Sequence, residues 1–251
     1  MVSTLLASIL LVQGGGQAPT TDAAGIISKM FAYYNGTTSL SGTIHMTQSA
    51  AGHSVTLDTE IAFVAPSKLY IKQYLNGAEP KTWLVTSDGK VFSYDVPNTT
   101  RFAKSRPTAR LMETVQPGPV ALTYRDIYHA TALSLGDRSV PLDLAIGSVE
   151  EMRAIRDQSA TVVYGGHEDL NGVSVNVING QWREYGRAPV SGTYQMMITD
   201  DGQLKRYSRK ETLAIDEGNG ARLDPQQVTT VWDVNLQVNA KPDESVFAVV
   251  R

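Results

Sequence analysis

The chain has 251 residues, of which 42% are hydrophobic and 19% charged, and its formal net charge is −3. This balance is typical of a folded globular protein and excludes wholesale disorder. No dense basic cluster indicates a nucleic-acid partner. Because the sequence contains no cysteine, disulfides, cysteine-based zinc sites, iron–sulfur clusters and thiol nucleophiles are excluded.

The N-terminal residues have the pattern of a secretory signal. An apolar run at Leu5–Val12 is too short to span a bilayer, and Gly16-Gln17-Ala18 can serve as a cleavage box. No Lys or Arg precedes the run, so a buried N-terminal strand or helix is the alternative. We predict that residues 1–21 are a signal peptide and linker, and that the protein is exported to the periplasm or another extracytoplasmic compartment. No other segment could cross a membrane, so an integral membrane protein is not expected.

The next residues predict one helix followed by strands. Asp22 can cap a helix that extends to about Asn35, because apolar residues recur at helical spacing up to Asn35-Gly36. Alternating polar and apolar residues then indicate strands, with a short hairpin loop at Ala51-Gly52-His53 and a tight turn at Asp88-Gly89. The expected strands are Leu40–Ser49, Ser54–Val64, Lys68–Leu75, Trp83–Ser87, Lys90–Val96 and a short one at Arg101–Lys104.

The middle of the chain, residues 107–157, is expected to be a helical insertion or lid. Apolar residues in Pro107–Gly136 recur at wider spacing and are interrupted at Pro117-Gly118-Pro119. Two short helical segments are predicted to follow, at Leu142–Ile146 and Val149–Arg156.

Strands are predicted again in the last third of the chain. The final one, Gln227–Asn239, alternates almost throughout between an apolar and a polar face, which is typical of a large curved antiparallel sheet. The others are expected at Ala160–Glu168, Val173–Ile178, Gly192–Thr199 and Leu204–Ile215, with a hairpin turn at Asp201-Gly202. We therefore predict a single α+β domain over residues 22–251, mostly antiparallel β.

No residue pattern selects a catalytic site, a metal site or a cofactor. The histidines lack metal-ligand spacing, and each is expected to be structural; they are His45, His53, His129 and His167. There is no Gly-x-Ser-x-Gly elbow and no phosphate-binding loop. The densest basic stretch is interpreted as a solvated strand face; it consists of Lys205, Arg206, Arg209 and Lys210.

What remains as a functional feature is apolar surface. A sheet with one apolar face must have that face covered, and an incomplete or movable helical cover would leave a cavity suited to acyl chains. The alternative for each apolar residue is plain core packing. The candidate ligand-binding residues are those expected on the inner face of the sheet or in the insertion: Leu57, Ile61, Phe63, Leu69, Ile71, Trp83, Met112, Tyr194, Met196, Trp232 and Val234.

Four segments stand in a recognisable order along the chain. They are Leu40-Ser41-Gly42-Thr43 after the first helix, Ala65-Pro66-Ser67-Lys68-Leu69 before a strand, the hairpin Leu84–Asp95 with Ser87-Asp88-Gly89, and Val234-Asn235 followed by Pro242–Phe247. In this order they resemble the opening, a strand entry, a hairpin and the closing element of the LolA-like family of outer-membrane lipoprotein-sorting proteins.

This resemblance implies an unclosed, curved half-barrel sheet whose apolar cavity is plugged by helices from the N-terminus and the central insertion. It also implies an extracytoplasmic location and no enzyme activity. The chain is longer than the well-studied carriers, and no counterpart of their buried lid arginine stands out in the sequence. We predict a carrier or binding protein for a lipid, a lipoprotein acyl chain or another hydrophobic ligand.

Two alternatives remain open from the sequence. A sensor or scaffold of the same fold would bind a protein partner, such as a membrane-anchored regulator, without carrying lipid. A hydrolase would require a His–carboxylate pair in a cleft.

Overall fold

The computed structural model of the protein describes residues 23–77, 79–97, 108–115, 121–147, 159–184, 190–213 and 226–249. Within these residues, eleven strands form one antiparallel sheet in the order β6-β5-β4-β3-β2-β1-β11-β10-β9-β8-β7. The strands are β1 (Ser39–Ala50), β2 (His53–Val64), β3 (Lys68–Asn76), β4 (Lys81–Asp88), β5 (Val91–Pro97), β6 (Thr108–Thr114), β7 (Ser159–Leu170), β8 (Val173–Glu184), β9 (Val190–Ile198), β10 (Leu204–Leu213) and β11 (Gln226–Val238). The sheet is curved but not closed, since β6 and β7 remain at its two edges. The predicted α+β half-barrel is confirmed.

Helices cover one face of this sheet. They are α1 (Ala23–Asn35), α2 (Tyr124–Thr131) and α3 (Val140–Ile146), with 3-10 turns at Ala132–Ser134 and Glu244–Phe247. We call the side on which they pack the covered face and the opposite side the outer face. Within the described part of the chain, no helix has the length and apolar character needed to cross a bilayer.

Local turn chemistry sets the register of the hairpins. Gly89 and Gly202 have positive φ angles of 90° and 99°, as their predicted turns require. A further two-residue turn joins β7 to β8, where Asn171 and Gly172 have φ angles of 56° and 83°. Positive φ at both central residues is the geometry of the hairpin turn that Asn-Gly favours. Asn171-Gly172 was not among the predicted turns.

The long strand β11 shows why the sheet has one apolar face. Every second residue from Val228 to Leu236 is buried, and the residues between them are half-buried or exposed. β11 pairs with β1 from Leu40↔Val238 to Ala50↔Val228, which joins the two ends of the chain at the centre of the sheet. The one-faced strand predicted at Gln227–Asn239 is confirmed.

The cover consists of short helices with well-formed ends. Thr123 caps α2 in a reciprocal capping box with Asp126, and Ser139 caps α3, which ends at Gly147 in the left-handed conformation. Isolated helices of eight and seven residues would be marginal in water. Their stability must therefore come from packing on the sheet, where they share one core with its covered face.

The first part of the predicted helical insertion is wrong. Thr108–Thr114 forms the edge strand β6, paired with β5 from Val91↔Thr114 to Pro97↔Thr108. The apolar spacing there fits a short strand as well as a helix, and pairing with β5 selects the strand. The helix at Leu142–Ile146 is confirmed as part of α3. The predictions for residues 1–21, Arg101–Lys104 and Val149–Arg156 lie outside the described residues.

Candidate functional site

The structure brings most of the predicted ligand-binding residues together on the covered face. Those that are buried in the core shared with the helices are Leu57, Ile61, Phe63, Leu69, Ile71, Tyr194, Met196, Trp232 and Val234. Trp83 is only half-buried and packs at the margin of this core. Met112 lies on β6 opposite Ser93, and its side chain is not among those described.

Helix α2 is fastened to the sheet at its N-terminal end. The ring of Tyr124 stacks on that of Phe63, with centroids 4.2 Å apart. The backbone N–H of Tyr124 donates to the carbonyl of Pro66 at 2.8 Å. Arg125 donates from Nε to the carbonyl of Ile146 at 3.1 Å, which links α2 to the end of α3. The two short helices therefore form a connected cover.

The segment Gly136–Ser139, which we call the strap, crosses the covered face between the two halves of the cover. It is held by Gln73 of β3, whose side chain is fully buried. Gln73 Oε1 accepts from the backbone N–H groups of Gly136 and Asp137 at 2.8 and 3.1 Å, and its Nε2 donates to the carbonyl of Asp137 at 2.7 Å. Nε2 also donates to Thr59 Oγ1 at 3.2 Å, so the amide is saturated and oriented.

Two tryptophans complete the hold on the strap. The indole N–H of Trp232 donates to Asp137 Oδ2 at 2.9 Å. The ring of Trp83 lies against Gly136 so closely that an added Cβ would stand 2.7–2.9 Å from its atoms. Burial raises the pKa of the Asp137 carboxyl, although the hydrogen bonds from Trp232 and Ser139 and the charge of Arg209 act in the opposite direction.

A hollow of about 230 Å³ lies beside the strap, between the sheet and α3. Its sheet wall includes the apolar and aromatic side chains of Met46, Tyr207 and Trp232. The complete lining is Met46, Gln48, Asp137, Arg138, Ser139, Val140, Asp143, Tyr207, Arg209, Glu211, Thr230 and Trp232. Of the predicted ligand-binding residues, only Trp232 lines this hollow.

Four of the five charged groups that line the hollow form two ion pairs. Arg138 Nε lies 3.3 Å from Asp143 Oδ1, which also accepts from the hydroxyl of Tyr128 at 2.5 Å. Arg209 Nη2 lies 2.7 Å from Glu211 Oε2, and the two side chains are only 27% and 12% exposed. The hollow thus combines apolar walls with ion pairs in a partly desolvated space.

Arg209 contradicts the prediction that the basic stretch of β10 is wholly solvated. A register shift between Leu204 and Arg206 resets the alternation of β10, so that Tyr207, Arg209 and Glu211 share the covered face. The partnership with Glu211 stabilises the guanidinium there. Arg206, in contrast, lies on the outer face and pairs with Asp233 at 2.6 Å.

The outer face carries a His–carboxylate pair, which was the feature required of a hydrolase. His45 Nδ1 lies 2.5 Å from Asp58 Oδ1, and His45 Nε2 lies 3.4 Å from the hydroxyl of Thr47. The imidazole and carboxylate are about half exposed, on a strand paired on both sides. Because the ladder hydrogen bonds occupy the N–H groups of β1, the strand offers no oxyanion donors beside the hydroxyl. The geometry does not support acyl transfer.

The outer face also has a larger and shallower hollow of about 440 Å³ on β7–β10. Its lining is mostly uncharged and polar, and includes Asn179, Gln181, Thr193 and Gln195. Among the described residues, no group of three or more His, Asp or Glu side chains is placed to hold a metal ion.

Sequence reasoning missed the residues that hold the strap. A usable signal was present in Gln73, which interrupts the inner apolar alternation of Leu69, Ile71 and Leu75 on β3. A polar amide at such a position must find buried partners. Nothing in the sequence identifies Asp137 as that partner.

Comparison with known proteins gives structural matches only. No family model matches the chain, and no curated protein matches it. The lipoprotein LppX of Mycobacterium tuberculosis is 12% identical over 86% of this chain and 98% of that chain, with a TM-score of 0.41. A chain in the complex structure of Pseudomonas aeruginosa MucA/MucB is 11% identical over 91% of this chain, with a TM-score of 0.41, and the match spans 61% of that chain.

A protein described as a LolA superfamily protein, NE2245 from Nitrosomonas europaea, is also matched. It is 10% identical over 90% of this chain and 97% of that chain, with a TM-score of 0.28. At TM-scores below 0.5 the likeness bears on neither ligand, partner nor activity.

Proposed function

We propose that the protein is an extracytoplasmic binding or carrier protein that takes up the apolar part of a lipid or another hydrophobic ligand between the covered face and its helices. The observation that carries this proposal is the hollow of about 230 Å³ walled by Met46, Tyr207 and Trp232. It lies where the apolar face and its cover separate, next to the strap.

The cover is suited to movement because it is built from short elements. α2 and α3 depend on contact with the sheet for their stability, and the strap between them is held chiefly by the side chains of Gln73 and Trp232. A ligand that replaces the apolar contacts of these helices would compensate for their displacement, since each buried CH₂ group contributes about 0.8 kcal/mol.

Export is proposed from the apolar run at Leu5–Val12.

Titration with N-phenyl-1-naphthylamine, an uncharged hydrophobic fluorophore, tests the proposal. The purified chain is expected to bind it saturably with one-to-one stoichiometry, and an organic extract of the protein is expected to contain lipid by mass spectrometry. The absence of both saturable binding and extracted lipid would count against a carrier and would favour the scaffold alternative.

A matched pair of variants localises the binding. Gln48 and Thr47 are neighbours on β1, both half-buried, and only Gln48 faces the hollow. Gln48→Trp should fill the hollow and weaken fluorophore binding at least about tenfold, equivalent to about 1.4 kcal/mol. Thr47→Trp places the same ring on the outer face and should leave binding unchanged. Equal effects of the two substitutions would rule out the hollow as the binding site of the fluorophore.

A further inference from the structure

The hollow has room for one end of a ligand. Its volume is about 230 Å³, below the roughly 300–1,000 Å³ of pockets that enclose a whole drug-sized molecule. Its sheet wall combines apolar and aromatic side chains with the polar and charged ones of Gln48, Thr230, Arg209 and Glu211, and the strap and α3 form the other wall. An amphipathic ligand would therefore place a compact polar group among the polar and charged side chains of the hollow, with its apolar remainder along the apolar part of the covered face.

The charges of the hollow disfavour an anionic group. Three carboxylates, Asp137, Asp143 and Glu211, face two guanidinium groups, Arg138 and Arg209, which gives a net charge of −1 when all are ionised. Burial raises the pKa of Asp137, and its protonation would bring the net charge only to zero. A carboxylate or phosphate would meet no net positive charge and would compete with carboxylates already bound to both guanidinium groups.

A cationic group is disfavoured for the complementary reason. Asp143 and Glu211 are each bound by a guanidinium, whereas Asp137 accepts a hydrogen bond from the neutral indole of Trp232. A bound ammonium would lose hydration in a partly enclosed space with Asp137 as its counter-charge, and burial favours the neutral form of that carboxyl by raising its pKa.

Hydrogen-bonding capacity, in contrast, is plentiful. Gln48 Nε2 donates to Thr230 Oγ1 at 3.2 Å, and an amide has a second N–H group and an oxygen that can also form hydrogen bonds. The hydroxyls of Ser139 and Thr230 can both donate and accept. We infer that the hollow selects a ligand whose polar end is uncharged and both donates and accepts hydrogen bonds, such as a glycerol or amide group on an acyl chain. This inference rests on the proposed function, because the acyl chain must find space beneath the cover.

Displacement of N-phenyl-1-naphthylamine by three ligands with the same chain length tests the inference. The ligands are 1-lauroylglycerol, laurate and dodecylammonium at pH 8, each below its aggregation concentration. The glycerol ester is expected to bind at least about tenfold more tightly than either charged ligand. Equal or tighter binding of laurate or dodecylammonium overturns the inference while leaving the proposed function intact. Absence of fluorophore binding would instead overturn the proposed function, and the inference with it.

Substitution of Glu211 tests whether the carboxylate bound to Arg209 causes the weak binding of an anionic ligand. Glu211→Gln removes the carboxylate bound to Arg209, so the affinity for laurate relative to 1-lauroylglycerol should rise at least about threefold. Glu60→Gln makes the same change on the exposed outer face and should leave that ratio unaltered. An unaltered ratio in Glu211→Gln contradicts the inference.

A second variant covers the case in which Glu211→Gln does not fold. Gln48→Leu removes an uncharged donor and acceptor from a half-buried position. It should weaken 1-lauroylglycerol at least about threefold and leave laurate unchanged. Equal effects on both ligands would contradict the inference.

Discussion

The role of Gln73 can be tested by replacing it with leucine, which has nearly the same size and no hydrogen-bonding atoms. Three of its four hydrogen bonds hold the strap, two from N–H groups and one to a carbonyl. At about 0.5–1.5 kcal/mol net for each bond, closure of the strap should lose about 2–4 kcal/mol.

Amide hydrogen exchange reads this loss directly. The N–H groups of Gly136 and Asp137 should exchange at least about 30-fold faster in Gln73→Leu than in the wild type, because about 1.4 kcal/mol corresponds to tenfold in the opening equilibrium. Global stability is a poorer measure, since leucine adds apolar contact on the covered face. Gln195→Leu, which removes one hydrogen bond to Asn179 on the outer face, is the matched control. Strap exchange within threefold of the wild type in Gln73→Leu would refute the reasoning.

Three further predictions concern the strap and the helix below it. Gly136→Ala should lower the free energy of unfolding by about 1–3 kcal/mol in urea titrations, because its Cβ would press on the ring of Trp83. Since burial raises the pKa of Asp137 in the folded state, the wild type should lose stability relative to Asp137→Asn as pH rises from about 4 through that raised pKa, measured by urea titration at several pH values. Tyr128→Phe should cost about 1.5–3 kcal/mol by thermal or urea unfolding, because a buried hydroxyl that donates to Asp143 is lost.

Each of these predictions has a control or a contradicting outcome. Gly77→Ala introduces a Cβ with no atom within 4 Å and should change stability by less than about 0.5 kcal/mol. Tyr74→Phe alters a side chain that is 39% exposed and should be similarly mild. A stability difference between the wild type and Asp137→Asn that grows in favour of the wild type with rising pH would contradict the assignment of Asp137 as a buried carboxyl.

Local patterns were sufficient to predict most of the sheet. Asp88-Gly89 and Asp201-Gly202 mark hairpin turns through the backbone freedom of glycine, and the alternation in β11 identifies its covered face without knowledge of its neighbours. Such features depend on residues adjacent in sequence, and for that reason the sequence reveals them.

The misassigned strand β6 depends on a partner instead. The spacing of Leu111, Met112 and Val115 is compatible with a helix or a strand, and only the pairing with β5 decides between them. Intrinsic preference is weak at such a sheet edge, where tertiary contacts determine the structure.

The candidate site was less predictable than the fold for the same reason. Gln73 meets the strap across 63 and 64 residues, and Trp232 meets Asp137 across 95. The apolar inner face could be derived from strand parity, which placed Trp232 correctly. The positions of Asp137, Arg138 and Arg209 around the hollow depend on how the strap lies on the sheet and on a register shift in β10.

Photoaffinity labelling tests the central claim most directly, since it asks where a ligand lies. A 1-acylglycerol with a diazirine in its chain can be irradiated with the full chain and the labelled residues located by mass spectrometry. Labels are expected on covered-face residues such as Met46 and Trp232, in preference to their outer-face neighbours Thr47 and Val231, and unlabelled 1-lauroylglycerol should suppress them. Labels that persist with competitor, or that concentrate around Asn179 in the outer hollow, would contradict binding beneath the cover.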